Sequence, residues 1–249
     1  MPTRGPSSPF RVRGSSLPGE TTAYGRNVPA RPRFIELSHP IVPGMKTYPG
    51  LPEPTVEVLL DYEASHERYQ NQAEFYIASL HLCGNTGTYV DAPRHRYRDG
   101  VDLAGISLER LANLPTVTID ATGAGRAIDG DAFRDLDLSS RAVLFRTDFS
   151  NRWGTPAYFT DNTFLTAAAC ELLVSKRPAF VGIDSLNIDD TGDPSRPAHT
   201  SLLGAGIPVC EHMTNLRALP ASGARLHAVP IAWVGGPTFP VRAYAIVDG

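Results

Sequence analysis

The spacing of apolar residues predicts a chain in which strands and helices interleave. Alternating or β-branched runs predict strands over Phe34 to Leu37, over "TVEVLLDYEA" and over "AEFYIASLHLCG". Helical spacing and a high alanine content predict a helix over "TFLTAAACELLVSKRP". Shorter helices are predicted in "SLERLANL", "GDAFRDLDL" and "HTSLLGAG". The remaining predicted strands are Val117 to Asp120, "RAVLFRTD", "AFVGIDS", the start of "IPVCEHMTNL", "ARLHAVPIAW" and "VRAYAIVDG".

Few of these units contain the full-length helix of a regular βαβ repeat. The pattern therefore predicts a mixed α/β domain rather than a Rossmann sheet. No GxGxxG follows a predicted strand and no GxxxxGK[ST] occurs, so the sequence gives no support for a nucleotide-binding loop. Residues 1 to about 33 are rich in Pro, Gly, Ser and Arg and have no apolar period. We predict a flexible arm there, followed by a single domain over residues 34–249.

Composition and charge narrow the classes of partner. A formal net charge of −3 gives no electrostatic reason to expect nucleic acid or an anionic membrane. No run approaches the roughly 20 apolar residues of a membrane helix. Three widely spaced cysteines (Cys83, Cys170 and Cys210), none in a CxxC, favour free thiols in a reducing cytoplasm.

The stretch "GNTGTYVDAPRHR", Gly84 to Arg96, is the first candidate for a site. Asp91 and His95 are four residues apart, with Pro93 between them. Proline lacks an N–H donor and disfavours a regular helix, so we expect this pair on a strand end or loop. Polar residues in a kinked, glycine-rich segment are better placed for a site than for a core, although Asp–His pairs more often satisfy each other or cap a turn.

Two later segments add further candidates. Asp184, Asp189 and Asp190 follow the predicted buried strand in "GIDSLNIDD", and the turn interpretation is favoured for the last two. His199 and Glu211 supply an imidazole and a carboxylate, which suit Zn or Mn. No GxSxG and no familiar Cys–His spacing occurs, so water or an internal substrate group is the expected attacking species.

Taken together, these segments resemble the cyclase family, the group that includes kynurenine formamidases and isatin hydrolases. The resemblance rests on "LSHPIVPGMKTYPG", on "NTGTYVDAPRH" against the signature HxGTHxDxPxH, and on "GIDSLNIDD" with "AHTSLLGAGIPVCEHMTNL". It implies a swivelling β/β/α-type fold, a homo-oligomer (dimer or tetramer) and metal-dependent hydrolysis of an amide or formamide. The resemblance also implies that Asp91, His199 and Glu211 are metal ligands and that His95 transfers protons.

The sequence departs from the signature at two positions. Asn85 and Tyr89 stand where the family has histidines, and a neutral amide or phenol is a weaker ligand than imidazole. One divalent metal, Zn or Mn, on Asp91, His199 and Glu211 is one interpretation. The other is a metal-free pocket held together by hydrogen bonds among Tyr89, Asp91, His95 and Glu211.

These alternatives lead to different functions. The first is a hydrolase in which metal-activated water attacks a carbonyl, His95 carries the proton, and Asn85, Gly87 and Thr88 bind substrate. The second is a metal-free cyclase, dehydratase or isomerase of secondary metabolism with Tyr89 and His95 as acid and base; a non-catalytic binding protein is the third. The expected partner is a small molecule, and loop aromatics favour an aromatic or cyclic one: Tyr69, Phe75, Trp153, Tyr158 and Phe159.

Overall fold

The computed structural model describes residues 31–248, which are built around one long sheet. The α-helices in this range are α1 (Tyr62–Arg68), α2 (Ala167–Lys176) and α3 (Pro197–Gly204). The strands are β1 (Arg33–Glu36), β2 (Thr55–Leu60), β3 (Ile77–His81), β4 (Tyr89–Asp91), β5 (Leu114–Asp120), β6 (Ala127–Ile128), β7 (Ala142–Arg146), β8 (Phe164–Leu165), β9 (Phe180–Ile183), β10 (Val209–Glu211), β11 (Ser222–His227), β12 (Thr238–Pro240) and β13 (Tyr244–Val247).

Nine strands form the main sheet, in the order β1-β13-β11-β5-β7-β9-β10-β4-β12. The central strands β5, β7, β9 and β10 are parallel, and the strands on either side pair antiparallel. Strands β2 and β3 form a separate antiparallel hairpin, and β6 pairs with β8 in a short parallel ladder. This topology confirms the predicted mixed α/β class and excludes a purely parallel Rossmann arrangement.

The central strands carry the core on both of their faces. All four residues of β9 are buried, as are Ala142 to Phe145 of β7, which is why both strands read as continuous apolar runs. One face packs against α2 and α3, which contribute Ala169, Cys170, Leu173, Leu202 and Leu203. The other face packs against the segment after β10 and against β11, with Met213, Leu216 and Leu226.

Most predicted elements occur, but several differ from the prediction. The helices predicted in "SLERLANL" and "GDAFRDLDL" are single 3-10 turns, Leu108–Arg110 and Gly130–Phe133. Helix α1 occupies a segment predicted as the end of a strand, and the Asp61 carboxylate accepts the N–H of Ala64 at its first turn. Strands β6 and β12 were not predicted, and β8 lies at the start of the segment that was predicted as a helix.

Some predictions concern features outside the sheet. The predicted flexible arm lies almost wholly outside the described residues. Cys83, Cys170 and Cys210 are free thiols. Within residues 31–248, no helix has both the length and the apolar character needed to cross a lipid bilayer.

Candidate active site

Strand β4 carries two of the candidate residues on one face. Side chains alternate along a strand, so Tyr89 and Asp91 point to the same side. The register of β10 against β4 places Glu211 opposite Tyr89, on that same side. The Tyr89 hydroxyl donates a hydrogen bond to Glu211 Oε2 at 2.6 Å. Strands β4 and β10 therefore bring Tyr89, Asp91 and Glu211 together, at the place where the sequence predicted a site.

Helix α3 brings His199 to the same point. Its Nε2 lies 3.7 Å from Asp91 Oδ2 and 3.7 Å from Glu211 Oε1. Its Nδ1 contacts Asp189 Oδ2 at 2.5 Å, and the same carboxylate accepts the backbone N–H groups of Ala198 and His199. Asp189 thus caps the first turn of α3 and also directs the imidazole Nε2 towards the other two carboxylates.

The donor atoms fit a bound cation. Asp91, His199 and Glu211 each offer one ligand atom, and these atoms lie within 4.8 Å of one another. Both oxygens of Asp91 are buried and find no hydrogen-bond donor within residues 31–248. A buried carboxylate without a partner is strongly destabilising, whereas a divalent ion would compensate its charge. One nitrogen and two carboxylate oxygens suit Zn or Mn.

The pKa values reflect this crowding of charge. Burial raises the pKa of Glu211 to about 7, although His199 acts in the opposite direction. Burial lowers the pKa of His199, but Glu211, Asp189 and Asp91 outweigh it and hold that pKa well above its usual value. The pKa values of Glu211 and His199 therefore both lie above their usual values, which favours a proton shared between these two side chains.

Tyr89 is a hydrogen-bond donor in this site. Burial, together with the charges of Glu211 and Asp91, raises the pKa of its phenol well above 10. The side chain is fully buried and its proton is directed at Glu211. Tyr89 therefore orients a carboxylate and does not supply an anionic ligand at neutral pH.

His95 lies beside the cluster and is open to solvent. It ends the 3-10 turn Pro93–His95 that follows β4, and its side chain is 33% exposed. Its Nε2 is 3.8 Å from Asp91 Oδ1, and its ring lines the same cavity as His199. This position gives His95 access to molecules bound in the cavity, and its role in proton transfer stays a prediction.

The three residues predicted to bind substrate have different positions. Asn85 lines the cavity, and its Oδ1 accepts from the Thr238 hydroxyl at 3.1 Å. The Gly87 N–H donates to Thr47 Oγ1, and the Thr88 hydroxyl donates to the His212 carbonyl. Gly87 and Thr88 are buried behind β4 and do not line the cavity, so their observed contacts stabilise the fold.

One of two adjoining cavities opens onto the cluster. The smaller, of about 300 Å³, contains His95, His199 and Glu211 in its wall. The larger, of about 700 Å³, shares Tyr48 and Leu51 with it. Of the predicted aromatic residues, Trp153 and Phe159 line this larger cavity. The others do not line either cavity: Tyr158 is buried against His212, and Tyr69 packs on Phe75.

Other candidates are structural. Asp184 accepts the N–H groups of Thr147 and Asp148, which holds the turn after β7. His212 points away from the site and bonds to the Tyr158 hydroxyl. Sequence reasoning missed the role of Asp189, which was interpreted as a turn residue. The only signal was its place after a buried strand in "GIDSLNIDD".

Comparison with known proteins agrees with this geometry. The family profile described as Putative cyclase matches residues 35–190. Kynurenine formamidase of Salinibacter ruber is 27% identical over 215 residues, which cover 84% of this chain and 95% of that protein. Isatin hydrolase A from Labrenzia aggregata, solved with benzyl benzoate, superposes with a TM-score of 0.76 at 24% identity, covering 88% of this chain and 94% of the other.

A third protein bears on the metal. A structure described as a potential metal-dependent hydrolase with cyclase activity has a TM-score of 0.73 and 25% identity, covering 88% of this chain and 100% of its own. The family match spans more than half of the chain, and the solved relatives confirm the predicted fold. The chain therefore belongs to the cyclase family, and its relatives indicate a hydrolase.

Proposed function

We propose that this protein is a metal-assisted amide hydrolase with one divalent ion held by Asp91, His199 and Glu211. The observation that carries the proposal is the buried Asp91 carboxylate, which has no donor within residues 31–248 and faces His199 Nε2 at 3.7 Å. A Zn or Mn ion bound there would polarise a carbonyl and lower the pKa of water. The hydrolase names of the relatives support the same class of reaction.

The substituted signature positions support a single ion. The Tyr89 phenol is engaged with Glu211, and the Asn85 amide oxygen accepts from Thr238. Neither group offers the free imidazole that would help hold a second metal. Glu211 Oε1 also accepts the N–H of Ile188 at 2.6 Å, which fixes the carboxylate for its role as a ligand.

His95 serves as the proton carrier. Its Nε2 takes one proton from the attacking water as the new C–O bond forms. The same nitrogen then delivers that proton to the leaving nitrogen as the C–N bond breaks, which yields an acid and an amine. Its partial exposure and its place in the cavity wall support this role.

The cavities support a small aromatic or cyclic substrate. The reacting amide fits the smaller cavity, beside His95 and Glu211. The larger cavity, with Trp153 and Phe159 in its wall, suits an apolar ring attached to that amide. Tyr48 and Leu51 lie between the two regions and contact both halves of such a molecule.

Two wider expectations also remain proposals. Exposed apolar side chains on the β2–β3 hairpin, among them Val56, Val58 and Leu80, support a homo-oligomer. The free thiols support a reducing, cytoplasmic location.

One observation favours the second candidate, a metal-free cyclase, dehydratase or isomerase. The 2.6 Å hydrogen bond from the Tyr89 hydroxyl holds the Glu211 carboxylate in place without any metal. In that case Tyr89 and His95 act as acid and base, and Tyr89→Phe abolishes turnover. For the metal-assisted hydrolase, Tyr89→Phe only reorients Glu211, and measurable activity remains.

Assays with small amides test the proposed function. Formanilide supplies a formamide, and isatin supplies a cyclic amide. Activity on either that disappears on chelation and returns with Zn or Mn supports the proposal. Hydrolysis that continues unchanged after exhaustive chelation would show that the reaction does not need a metal, and it would favour a metal-free site.

A further inference from the structure

Two arginines line the smaller cavity together with the candidate ligands. Arg96 follows the turn that carries His95, and Arg196 immediately precedes α3, which carries His199. The chain therefore places one positive charge next to each of the two histidines of the site. Neither arginine was identified as a site residue from the sequence.

Neutral groups hold both guanidiniums. The Arg96 Nε donates to Thr200 Oγ1 at 3.1 Å. The Arg196 Nη1 donates to Asn187 Oδ1 at 3.3 Å and to the Asp190 carbonyl at 3.4 Å. No salt bridge joins either arginine to a carboxylate in the part of the chain that the structure describes. The two guanidiniums are thus oriented by hydrogen bonds to neutral groups, without a salt-bridge partner among the described residues.

The backbone at Arg196 is unusual for a non-glycine residue. Its φ is +49°, in the left-handed region that L-residues seldom adopt. The nearby Asp193 carboxylate accepts from Ser195 and does not pair with Arg196. This turn immediately precedes α3, and the Arg196 side chain lines the smaller cavity.

We propose that Arg96 and Arg196 bind a carboxylate of the substrate, separate from the amide that reacts. A guanidinium pairs with a carboxylate through two parallel hydrogen bonds, which gives both affinity and orientation. Arg96 and Arg196 line the same cavity as His199 and Glu211, so a carboxylate bound by them belongs to a molecule whose amide reaches the ligand cluster. This inference rests on the proposed function and makes anionic amides better ligands than neutral ones such as formanilide.

Binding of a matched pair of probes tests the inference. Formanilide and 3-formamidobenzoate differ by one carboxylate, and calorimetry measures their affinities for the metal-loaded and the chelated full-length protein. We expect the acid to bind about tenfold or more tightly in both states, the difference typical of a charge-assisted hydrogen bond. Arg96→Gln and Arg196→Gln should each remove most of that preference. Arg98→Gln, exposed and outside the cavity wall, is the matched control and should retain it.

Three results would overturn the inference: equal affinity for the two probes, a preference that neither variant reduces, or a preference that vanishes on chelation. The last result would assign the carboxylate to the metal centre. Hydrolysis of the probes is recorded separately. A carboxylate preference that depends on the arginines, without hydrolysis, supports the inference and counts against the hydrolase.

Discussion

Asp189 is the residue on which the orientation of His199 depends. It accepts from the imidazole Nδ1 and from two backbone N–H groups at the start of α3. We predict that Asp189→Asn weakens binding of Zn or Mn by about 10- to 100-fold, the usual effect of losing such a partner. Competition with a chromophoric chelator measures the affinity.

Asp190 provides the control for this variant. Its side chain is more exposed and pairs with Arg126 at 3.3 Å, away from the ligand cluster. Asp190→Asn should leave metal affinity unchanged. An unaltered affinity in Asp189→Asn as well would mean that His199 does not bind the ion through an oriented Nε2.

Asn85 and Tyr89 determine how much metal the site retains. Both line the cavity, and both stand where the family signature has histidine. We predict that Asn85→His combined with Tyr89→His raises metal occupancy, because imidazole binds Zn better than a neutral amide or phenol. Elemental analysis of both proteins gives the occupancy, and an unchanged value would contradict this explanation of the substitutions.

At the residue scale, the sequence supplied the candidate ligands Asp91, His199 and Glu211, whose role as ligands stays a prediction, but not their supporting residues. Asp91 was identified from the family signature, and His199 and Glu211 from the resemblance of the later segments to the same family. The roles of Asp189, Arg96 and Arg196 depend on how loops return to the start of α3. That arrangement leaves no short-range pattern in the sequence.

At the scale of elements, β10 separates two chemical environments. Glu211, its last residue, faces the ligand cluster, whereas His212 lies in the left-handed conformation and packs with Tyr158 behind the site. Burial, assisted by neighbouring His39, lowers the pKa of His212 to about 3. The folded protein thus keeps this imidazole neutral.

This burial predicts a loss of stability in acid. The unfolded imidazole gains a proton below pH ~6.5, whereas the folded one does not, so protonation favours unfolding as the pH falls. Between pH 7 and 5 the wild-type free energy of unfolding should fall by about 2 kcal/mol more than that of His212→Asn. Urea titrations of metal-depleted protein measure both, and parallel pH profiles would contradict the prediction. Asparagine is chosen because it tolerates positive φ.

Apolar spacing within one segment predicted the helices and strands that such spacing is enough to specify. The apolar spacing of α2 and the continuous apolar runs of β7 and β9 are visible in short windows. Strand β12 exists because Thr238, Phe239 and Pro240 pair with β4, about 150 residues earlier. Pro240 is compatible with that position because β12 is an edge strand.

At the scale of the whole molecule, the β2–β3 hairpin is the strongest candidate for a contact between copies. Val56 and Leu80 are directly paired across the hairpin and are 46% and 51% exposed. We predict a mass by light scattering of at least twice the 26.9 kDa of one chain. Val56→Glu with Leu80→Glu should lower it.

Glu57→Gln, on the opposite face of β2, is the control and should keep the larger mass. A wild-type mass equal to one chain would refute the predicted assembly. The predicted arm over residues 1 to about 33 and the single domain that follows it stay predictions.

The central claim is that Asp91, His199 and Glu211 hold one metal ion on which hydrolysis depends, while His95 only moves the proton. Metal content and formanilide turnover of wild type, Asp91→Ala and His95→Ala test this claim directly. We expect one ion and turnover in the wild type, loss of both in Asp91→Ala, and loss of turnover with the ion retained in His95→Ala. Equal metal content in wild type and Asp91→Ala, or full wild-type turnover after exhaustive chelation, would contradict it.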